Sequence, residues 1–289
     1  MTTSFGTTFD EEFDHEIHTP AEPSWQDEAP VAIGRGGRRE IEVTLPIGVL
    51  DERGRLQRSV TMRKMTGREE ALLADPGNQR NGGRLVTALL HSCITHLGDQ
   101  ESVARSQIER MYSVDRNFLL LRLRGFTFGN ELPGSYTCPT CSNRFEVTED
   151  LNELPLRMLA PGEEPEDIVV ELDDGYLDRD GTIYTSITLR LARGDDESAV
   201  APQMRKNPSL GKNALLSRCL KSLGDLPTHR LEALGPRIMA DLTLADRRLI
   251  DRAFNEGAPG IDLIRELDCP SCGADFKATL DMTRFLALD

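Results

Sequence analysis

The sequence is poor in aromatic residues and in histidine, and it contains no long hydrophobic stretch. Aromatic side chains make up 5% of the 289 residues, and five residues are histidine. No apolar run approaches the length of a membrane-spanning helix, and the N-terminus lacks the basic and then apolar pattern of a signal peptide. We therefore expect a protein with no membrane partner, made in the cytoplasm.

Positive charge is also scarce. The formal net charge is −14 at pH 7, whereas proteins that bind nucleic-acid backbones concentrate lysine and arginine in patches. The charge balance therefore argues against a nucleic-acid partner. Hydrophobic residues nonetheless make up 38% of the chain, which is enough for the cores of two domains of ordinary size.

No group of residues has the composition and spacing of a catalytic site. The histidines are scattered: His15, His18, His91, His96 and His229. Gly211 and Lys212 hint at a phosphate-binding loop, but the upstream glycine and the strand of that motif are missing. The sequence therefore predicts no enzyme activity, no small-molecule substrate and no catalytic residue.

Four of the six cysteines form two Cys-Pro-x-Cys motifs. The first contains Cys138 and Cys141, and the second contains Cys269 and Cys272, which follow 131 residues later. A β-prone run follows each motif, which is typical of a zinc knuckle, a tight turn that directs two thiolates to one point. Structural zinc takes four ligands, and no other Cys or His is close in the sequence. We therefore predict that all four cysteines bind one structural zinc ion.

Other interpretations of these cysteines stay open. A redox dithiol would need its first cysteine at a helix N-terminus, and surface disulfides or idle thiols are further alternatives. The zinc site could also pair the motifs across a homodimer instead of within one chain. The remaining cysteines, Cys93 and Cys219, fall on the apolar faces of predicted helices, where a small buried side chain is expected.

The two motifs belong to a longer internal repeat. Matching residues connect 168–194 with 41–67 at an offset of 127, 214–225 with 88–99 at 126, and 246–272 with 115–141 at 131. Three blocks in the same order indicate a duplication. If the two copies pack about a pseudo-twofold axis, as identical subunits do, their knuckles meet at that axis.

These patterns predict an α+β fold in which each copy has a β-hairpin, helices and a zinc knuckle. The two copies are joined about a shared site that is similar to a zinc ribbon. The alternation that begins at Glu40 predicts a strand. The apolar residues from Leu89 to Leu97 predict a helix that starts at about Leu85 and ends at Gly98, and a further helix is predicted from near Asp115 to Gly125. We expect an acidic tail at 1–38, a first repeat at 39–160 and a second repeat at 161–289.

The N-terminal tail differs in composition from the rest of the chain. Eight acidic residues precede the first Lys or Arg, Arg35. Spaced apolar residues interrupt the acids: Phe5, Phe9, Phe13, Ile17 and Trp25. The tail is either a solvating disordered segment or a segment that folds onto a partner through these residues. The first four would share one helix face.

Two stretches resemble a known family. TLPIGVLDERGRLQRSVTMRKMTGREEALL at 44–73 and LLLRLRGFTFGNELPGSYTCPTCSNRF at 119–145 resemble the baseplate hub assembly chaperones of T-even-type phages, with relatives in phage-tail-like contractile injection systems. The resemblance implies a non-enzymatic protein that helps to assemble a contractile-tail baseplate or stays within it, in a virion or a tail-like particle. Its partners would be other baseplate or tail subunits, and it would be made in the cytoplasm of a host or producer cell. The doubled knuckle departs from the family prototype and leaves open whether the protein is a chaperone or a resident subunit.

The competing interpretation is a zinc-ribbon adaptor in transcription or in another protein–protein interaction. Ribbons that contact nucleic acid carry lysine and arginine near the zinc. Here Arg144 is followed by Glu146, Glu149 and Asp150. Such a surface would bind phosphate groups poorly.

Overall fold

The computed structural model describes residues 39–51, 53–160, 162–255 and 258–280, and its fold is mixed α+β. The elements up to residue 160 are β1 (Glu40–Leu50), β2 (Leu56–Arg63), α1 (Gly67–Ala74), α2 (Pro76–Gln79), α3 (Gly82–Cys93), β3 (Ile94–Leu97), α4 (Arg105–Arg110), α5 (Ser113–Phe128), β4 (Glu131–Thr137), β5 (Arg144–Asp150) and β6 (Leu156–Arg157). No helix in these described residues is long and apolar enough to cross a membrane.

The elements of the second half follow in a similar order. They are β7 (Ile168–Leu177), β8 (Ile183–Leu189), α6 (Gly194–Lys206), α7 (Pro208–Cys219), β9 (Leu220–Leu223), α8 (Thr228–Asp241), α9 (Leu244–Asn255), β10 (Gly260–Ile261), β11 (Ile264–Asp268) and β12 (Asp275–Thr279). Each half contains a three-stranded antiparallel sheet, β1-β2-β3 or β7-β8-β9, and a two-stranded hairpin, β4-β5 or β11-β12. The short strands β6 and β10 pair with each other and connect the halves.

A buried aspartate holds the irregular part of the first sheet. The register of β1 against β2 shifts between Thr44 and Val49, so backbone N–H groups there lose their ladder partners. The carboxylate of Asp115, near the start of α5, accepts hydrogen bonds from Ile47 N and Gly48 N, each at 2.9 Å. The helix is thereby fixed against the sheet at its N-terminal end.

The second sheet has the same device. The register of β7 against β8 shifts between Glu171 and Tyr176. Asp246, near the start of α9, accepts hydrogen bonds from Asp173 N at 2.7 Å and from Gly175 N at 2.9 Å. Both aspartates are buried. A buried charge without these donors would be strongly destabilising.

A second polar contact also occurs in both halves. Arg63, at the end of β2, pairs with the buried Glu69 of α1 at 2.8 Å. Arg190, after β8, pairs with the buried Asp196 of α6 at 2.7 Å. In both cases an arginine anchors the first helix of the half to its sheet.

Two sequence-based helix boundaries were wrong. The helix predicted from Leu89 through Leu97 ends at Cys93, and Ile94–Leu97 forms β3, which pairs with β2. The β-branched Ile94 and Thr95 suit a strand, and the edge of β2 supplies its hydrogen-bond partner. Helix α5 continues past Gly125 to Phe128.

Besides the knuckles and the β6–β10 pair, the two halves contact each other through the N-terminal part of α6. Gly194 N donates to the Met111 carbonyl at 3.0 Å, and Ser113 N donates to the Ala192 carbonyl at 2.9 Å. Helix α6 packs on α3 and also contacts α4 and α5. The counterparts of α6 and α3 in the other half are α1 and α7, and within the described residues α1 does not pack on α7 in a comparable way. We call the part of each half outside its knuckle the body. The two bodies are therefore not related by the twofold axis expected from the sequence.

Arg116, on α5, lies at the centre of this contact and is fully buried. Its guanidinium donates to Thr87 Oγ1 at 3.1 Å, Ile108 O at 3.0 Å and Gly83 O at 2.8 Å. Its Nε atom lies 3.2 Å from a carboxylate oxygen of Glu197, on α6. The first half thus supplies a buried cation and the second half supplies its counter-ion.

Candidate metal centre

Each pair of motif cysteines lies in a tight turn that joins two strands. In the first turn, Ser142 N donates to the Cys138 carbonyl at 2.9 Å; in the second, Gly273 N donates to the Cys269 carbonyl at 2.9 Å. The backbone at Ser142 has φ = 60°, and at Gly273 φ = 68°. This left-handed residue reverses the chain, so that both cysteines of a turn point to the same side.

The two turns bring four sulfur atoms together. Cys138 Sγ lies 3.7 Å from Cys272 Sγ, and Cys141 Sγ lies 3.6 Å from Cys269 Sγ. All four sulfurs lie within 4.8 Å of one another. A tetrahedron with Zn–S bonds of 2.3 Å has edges of about 3.8 Å. The cluster is therefore of the right size and donor type for a closed four-thiolate site.

The thiols of the cluster titrate unequally. The backbone N–H of Cys141 lowers the pKa of Cys138 to about 6. Burial is the largest single influence on Cys269 and opposes its ionisation, but the N–H groups of Cys272 and Ser271 and the neighbouring thiols together lower that pKa. The N–H of Ala274 favours ionisation of Cys272, yet the neighbouring sulfurs and burial raise its pKa to about 12. Four thiolates in one place repel one another, and a bound cation would remove that conflict.

Aromatic rings of the two hairpins contact one another. Phe145 of β5 and Phe276 of β12 pack edge to face, with ring centroids 6.2 Å apart. Tyr136 of β4 lies 6.2 Å from Phe145 with its ring tilted. Phe145 and Phe276 occupy equivalent positions in the two motifs, so equivalent residues of the two knuckles face each other.

A buried carboxylate connects the hairpins on one side of these rings. Glu149 of β5 accepts a hydrogen bond from Tyr136 Oη at 2.7 Å and pairs with Arg265 of β11 at 2.8 Å. Burial, together with the neighbouring Glu149, raises the pKa of Tyr136 above its usual range. Sequence reasoning missed these three residues because a glutamate on a half-exposed strand gives no local sign that it is buried.

The other cysteines have the expected core role. Cys93 and Cys219 are fully buried at the ends of α3 and α7 and lie outside the cluster. Burial raises the pKa of each thiol to about 12. Both therefore act as small apolar side chains.

The weak phosphate-loop signal has a packing explanation. A Cβ atom on Gly211 would lie 2.3 Å from Met204 Cα, so glycine permits α6 and α7 to approach closely. Lys212 pairs with Asp251 at 2.5 Å. The residues predicted for partner binding, Phe5, Phe9, Phe13, Ile17 and Trp25, lie outside the described residues.

Comparison with known proteins identifies a family. A family model described as T4 bacteriophage base plate protein matches residues 38–286. The chain belongs to this family. Neither the curated proteins nor the solved structures that were searched contained a match. The resemblance to T-even-type phage baseplate proteins is thereby confirmed over most of the chain, including both cysteine motifs.

Proposed function

We propose that this protein is a non-enzymatic baseplate component, or an assembly chaperone of the baseplate hub, in a contractile phage tail or a phage-tail-like injection system. Structural zinc would hold its two halves together. The observation that carries the proposal is the meeting of Cys138, Cys141, Cys269 and Cys272 in one chain of the baseplate family. Its partners would be other baseplate or tail subunits, and it would be incorporated into a virion or tail-like particle.

The zinc role follows from the chemistry of the donor set. Four sulfur ligands leave no open position on a tetrahedral ion, so bound zinc would be structural rather than catalytic. Each turn supplies two ligands, and the turns belong to β4–β5 and β11–β12, on either side of the chain midpoint. Metal binding would therefore add directly to the stability of both halves, on the order of 10 kcal/mol as in small zinc units.

We further propose that the halves are copies of one duplicated unit, with a first repeat at 39–160 and a second at 161–289. The buried polar contacts support this proposal. Asp115 and Asp246 hold the two sheet irregularities at an offset of 131, and Glu69 and Asp196 pair with arginines at an offset of 127. A repeated pattern of buried polar contacts is harder to produce by chance than a repeated pattern of apolar residues.

The charges around the knuckles support a protein partner over nucleic acid. Arg265 is paired with Glu149, and Lys277 is paired with Glu266 at 2.8 Å. Cations that are already neutralised by carboxylates contribute little to phosphate binding. A protein surface in a baseplate does not require a positive patch.

Metal analysis tests the zinc proposal. Purified protein should contain one zinc ion per chain, and Cys138→Ser and Cys269→Ser should each lose it, because either change leaves three ligands. Cys219→Ser is the matched control and should retain the metal. Two zinc ions per chain, or zinc retained in both knuckle variants, would contradict a shared site.

Assembly experiments test the baseplate proposal and the role of the tail at 1–38. Deletion of the tail should leave the folded body and its zinc intact but weaken the capture of a baseplate partner. Replacement of Phe5, Phe9 and Phe13 by Ala should cause most of the same loss without changing the charge. If the triple variant captures baseplate subunits as well as the intact protein does, the aromatic residues are not the binding element.

A further inference from the structure

The contact between the bodies of the two halves joins two different surfaces. We call the surface of the first half the socket; it consists of Asn81, Gly83, Met111, Ser113 and Arg116. We call the surface of the second half the plug; it consists of Ala192, Gly194, Glu197 and Ser198. Besides the contacts given above, Asn81 Nδ2 donates to the Ser198 carbonyl at 2.9 Å. Because socket and plug are not equivalent positions, the contact is heterologous.

Glycine makes the close approach possible at two points. A Cβ atom on Gly83 would lie 2.6 Å from Ser198 N, and one on Gly194 would lie 2.3 Å from Arg116 Nη1. Distances this short cannot occur between non-bonded atoms of a relaxed structure. The fit of plug into socket therefore depends on the absence of side chains at Gly83 and Gly194.

The first half has its own counterpart of the plug, and it is uncovered. The residues that lie 127 positions before those of the plug are Met65, Gly67, Glu70 and Ala71. We call this surface the open plug. Gly67, Glu70 and Ala71 are exposed, whereas Gly194 is buried. The neighbouring Phe128 is 51% exposed. It follows Thr127, whose hydroxyl accepts a hydrogen bond from Met65 N at 3.3 Å.

The second half has a counterpart of the socket, and this surface is partly exposed. Its residues are Asn207, Ser209, Leu242, Leu244 and Arg247, which we call the open socket. Leu242 is buried and Arg247 is half-buried, whereas the other three residues are exposed. Leu244 is 78% exposed and the adjacent Leu210 is 52% exposed. Arg247 repeats the orientation of Arg116, since its guanidinium donates to the Met239 carbonyl at 3.1 Å and to Asn213. Large apolar side chains are thus exposed beside both open surfaces.

We propose that the open socket of one molecule binds the open plug of a second copy of this chain, in a head-to-tail contact. The same kind of contact already exists inside the chain, which is the reason to expect this occupant. Charge complementarity supports it, because Glu70 would pair with Arg247 as Glu197 pairs with Arg116 at 3.2 Å. The inference goes beyond the baseplate role and rests on the correspondence between the two halves.

The contact between molecules would be weaker than the one within the chain. Ser209 stands where the internal socket has Gly83, so its side chain keeps the incoming backbone further away. No linker holds the two surfaces together, so association depends on concentration. After each heterologous contact one open plug and one open socket remain, so the contact produces open chains of molecules, or a ring where the rotation between neighbours closes.

Sedimentation equilibrium of the zinc-loaded full chain tests the proposal. The weight-average mass should rise above the monomer mass of 32.1 kDa as the concentration increases, without a limit at the dimer. Gly67→Leu blocks the open plug, and Leu244→Glu places a charge in the open socket. Both positions are exposed, so neither change should affect folding. Each variant alone should be a monomer.

The mixture of the two blocked variants is the decisive measurement. Gly67→Leu keeps an intact open socket and Leu244→Glu keeps an intact open plug, so an equimolar mixture should form a dimer and nothing larger. Ser209→Gly should tighten association of the otherwise unchanged chain about tenfold, which corresponds to about 1.4 kcal/mol. Leu177→Glu, at an exposed hairpin tip, is the control and should change nothing.

A monomer at every concentration, with no complex in the mixture of blocked variants, would overturn the proposal. A mass that stops at the dimer for the unchanged chain and for both blocked variants would also overturn it, because it would indicate a symmetric contact that uses neither open surface. Measurement of zinc in the same samples keeps this outcome separate from a failure of the zinc proposal.

Discussion

Two of the contacts between the halves of this protein differ in the kind of residues that they join. At the knuckles, equivalent residues face each other, as in the pair Phe145 and Phe276. At the bodies, Arg116 of the first half meets Gly194 and Glu197 of the second. When a contact joins equivalent surfaces of the two halves, both copies of the surface are occupied. A heterologous contact joins two different surfaces and leaves the second copy of each unoccupied. The first kind holds the chain together, and the second kind provides surfaces for assembly.

A single methyl group should break the contact between the bodies. In Gly194→Ala the new Cβ would overlap the guanidinium of Arg116, whose hydrogen bonds hold it in place. Overpacking of this kind should lower the free energy of unfolding by about 1–3 kcal/mol. Denaturant unfolding measures the change.

Gly67→Ala is the matched control for that experiment. Gly67 begins α1 as Gly194 begins α6, but it is exposed, and the nearest atom to its added Cβ is a Glu70 oxygen at 4.0 Å. The control should lie within about 0.5 kcal/mol of the unchanged protein. Equal losses in the two variants would mean that the contact with Arg116 does not limit the size of the side chain.

A change of pH should sharpen the comparison, because the body of the first half contains a carboxyl group that prefers to be neutral. Burial raises the pKa of Asp115 to about 7, although the N–H groups of Ile47 and Gly48 oppose the shift. Between about pH 4 and pH 7 the folded protein therefore binds a proton that the unfolded chain releases. Through this group, the free energy of unfolding should fall as the pH rises, by up to about 1.4 kcal/mol per unit.

Asp115→Asn tests this pH dependence. The variant should lose this downward slope between pH 4.5 and 7, while losing some stability at every pH because an amide cannot accept both backbone hydrogen bonds. The measurement stops at pH 4.5 because below this pH the protonation of Glu69 also changes the free energy of unfolding. Burial alone would raise the pKa of Glu69, but its bond from Arg63 and further hydrogen bonds lower it to about 2. Identical slopes in the two proteins would refute the role of Asp115.

The smallest expected effect is on thermal stability and concerns Ser142 and Gly273, which occupy the same position in the two knuckle turns. Ser142 has a left-handed backbone, which costs a residue with a side chain about 1 kcal/mol, whereas Gly273 occupies the same conformation freely. Ser142→Gly should therefore raise the thermal stability slightly, and Gly273→Ser should lower it slightly. Calorimetry of both zinc-loaded variants checks the opposite signs, and equal signs would contradict a shared turn geometry.

The sequence alone was sufficient for the features that depend on local chemistry. The cysteine spacing and the β-prone residues around it predicted the two turns, and the fourfold coordination of zinc predicted that the turns would meet. Strand alternation located β1, and the repeat located its counterpart β7. The motifs also pointed to the baseplate family, which the comparison confirmed. The binding of zinc and the role of the tail residues stay predictions.

Only the tertiary structure decided how the bodies of the two halves are arranged. Ile94–Leu97 has a helical pattern in the sequence and becomes a strand because the edge of β2 is available to it. Arginine is mostly exposed in folded proteins, yet Arg116 is buried because α6 of the other half covers it. Two similar units can pack symmetrically or head to tail with the same sequence motifs. Contacts between residues far apart in the chain select one arrangement, and no local pattern records them.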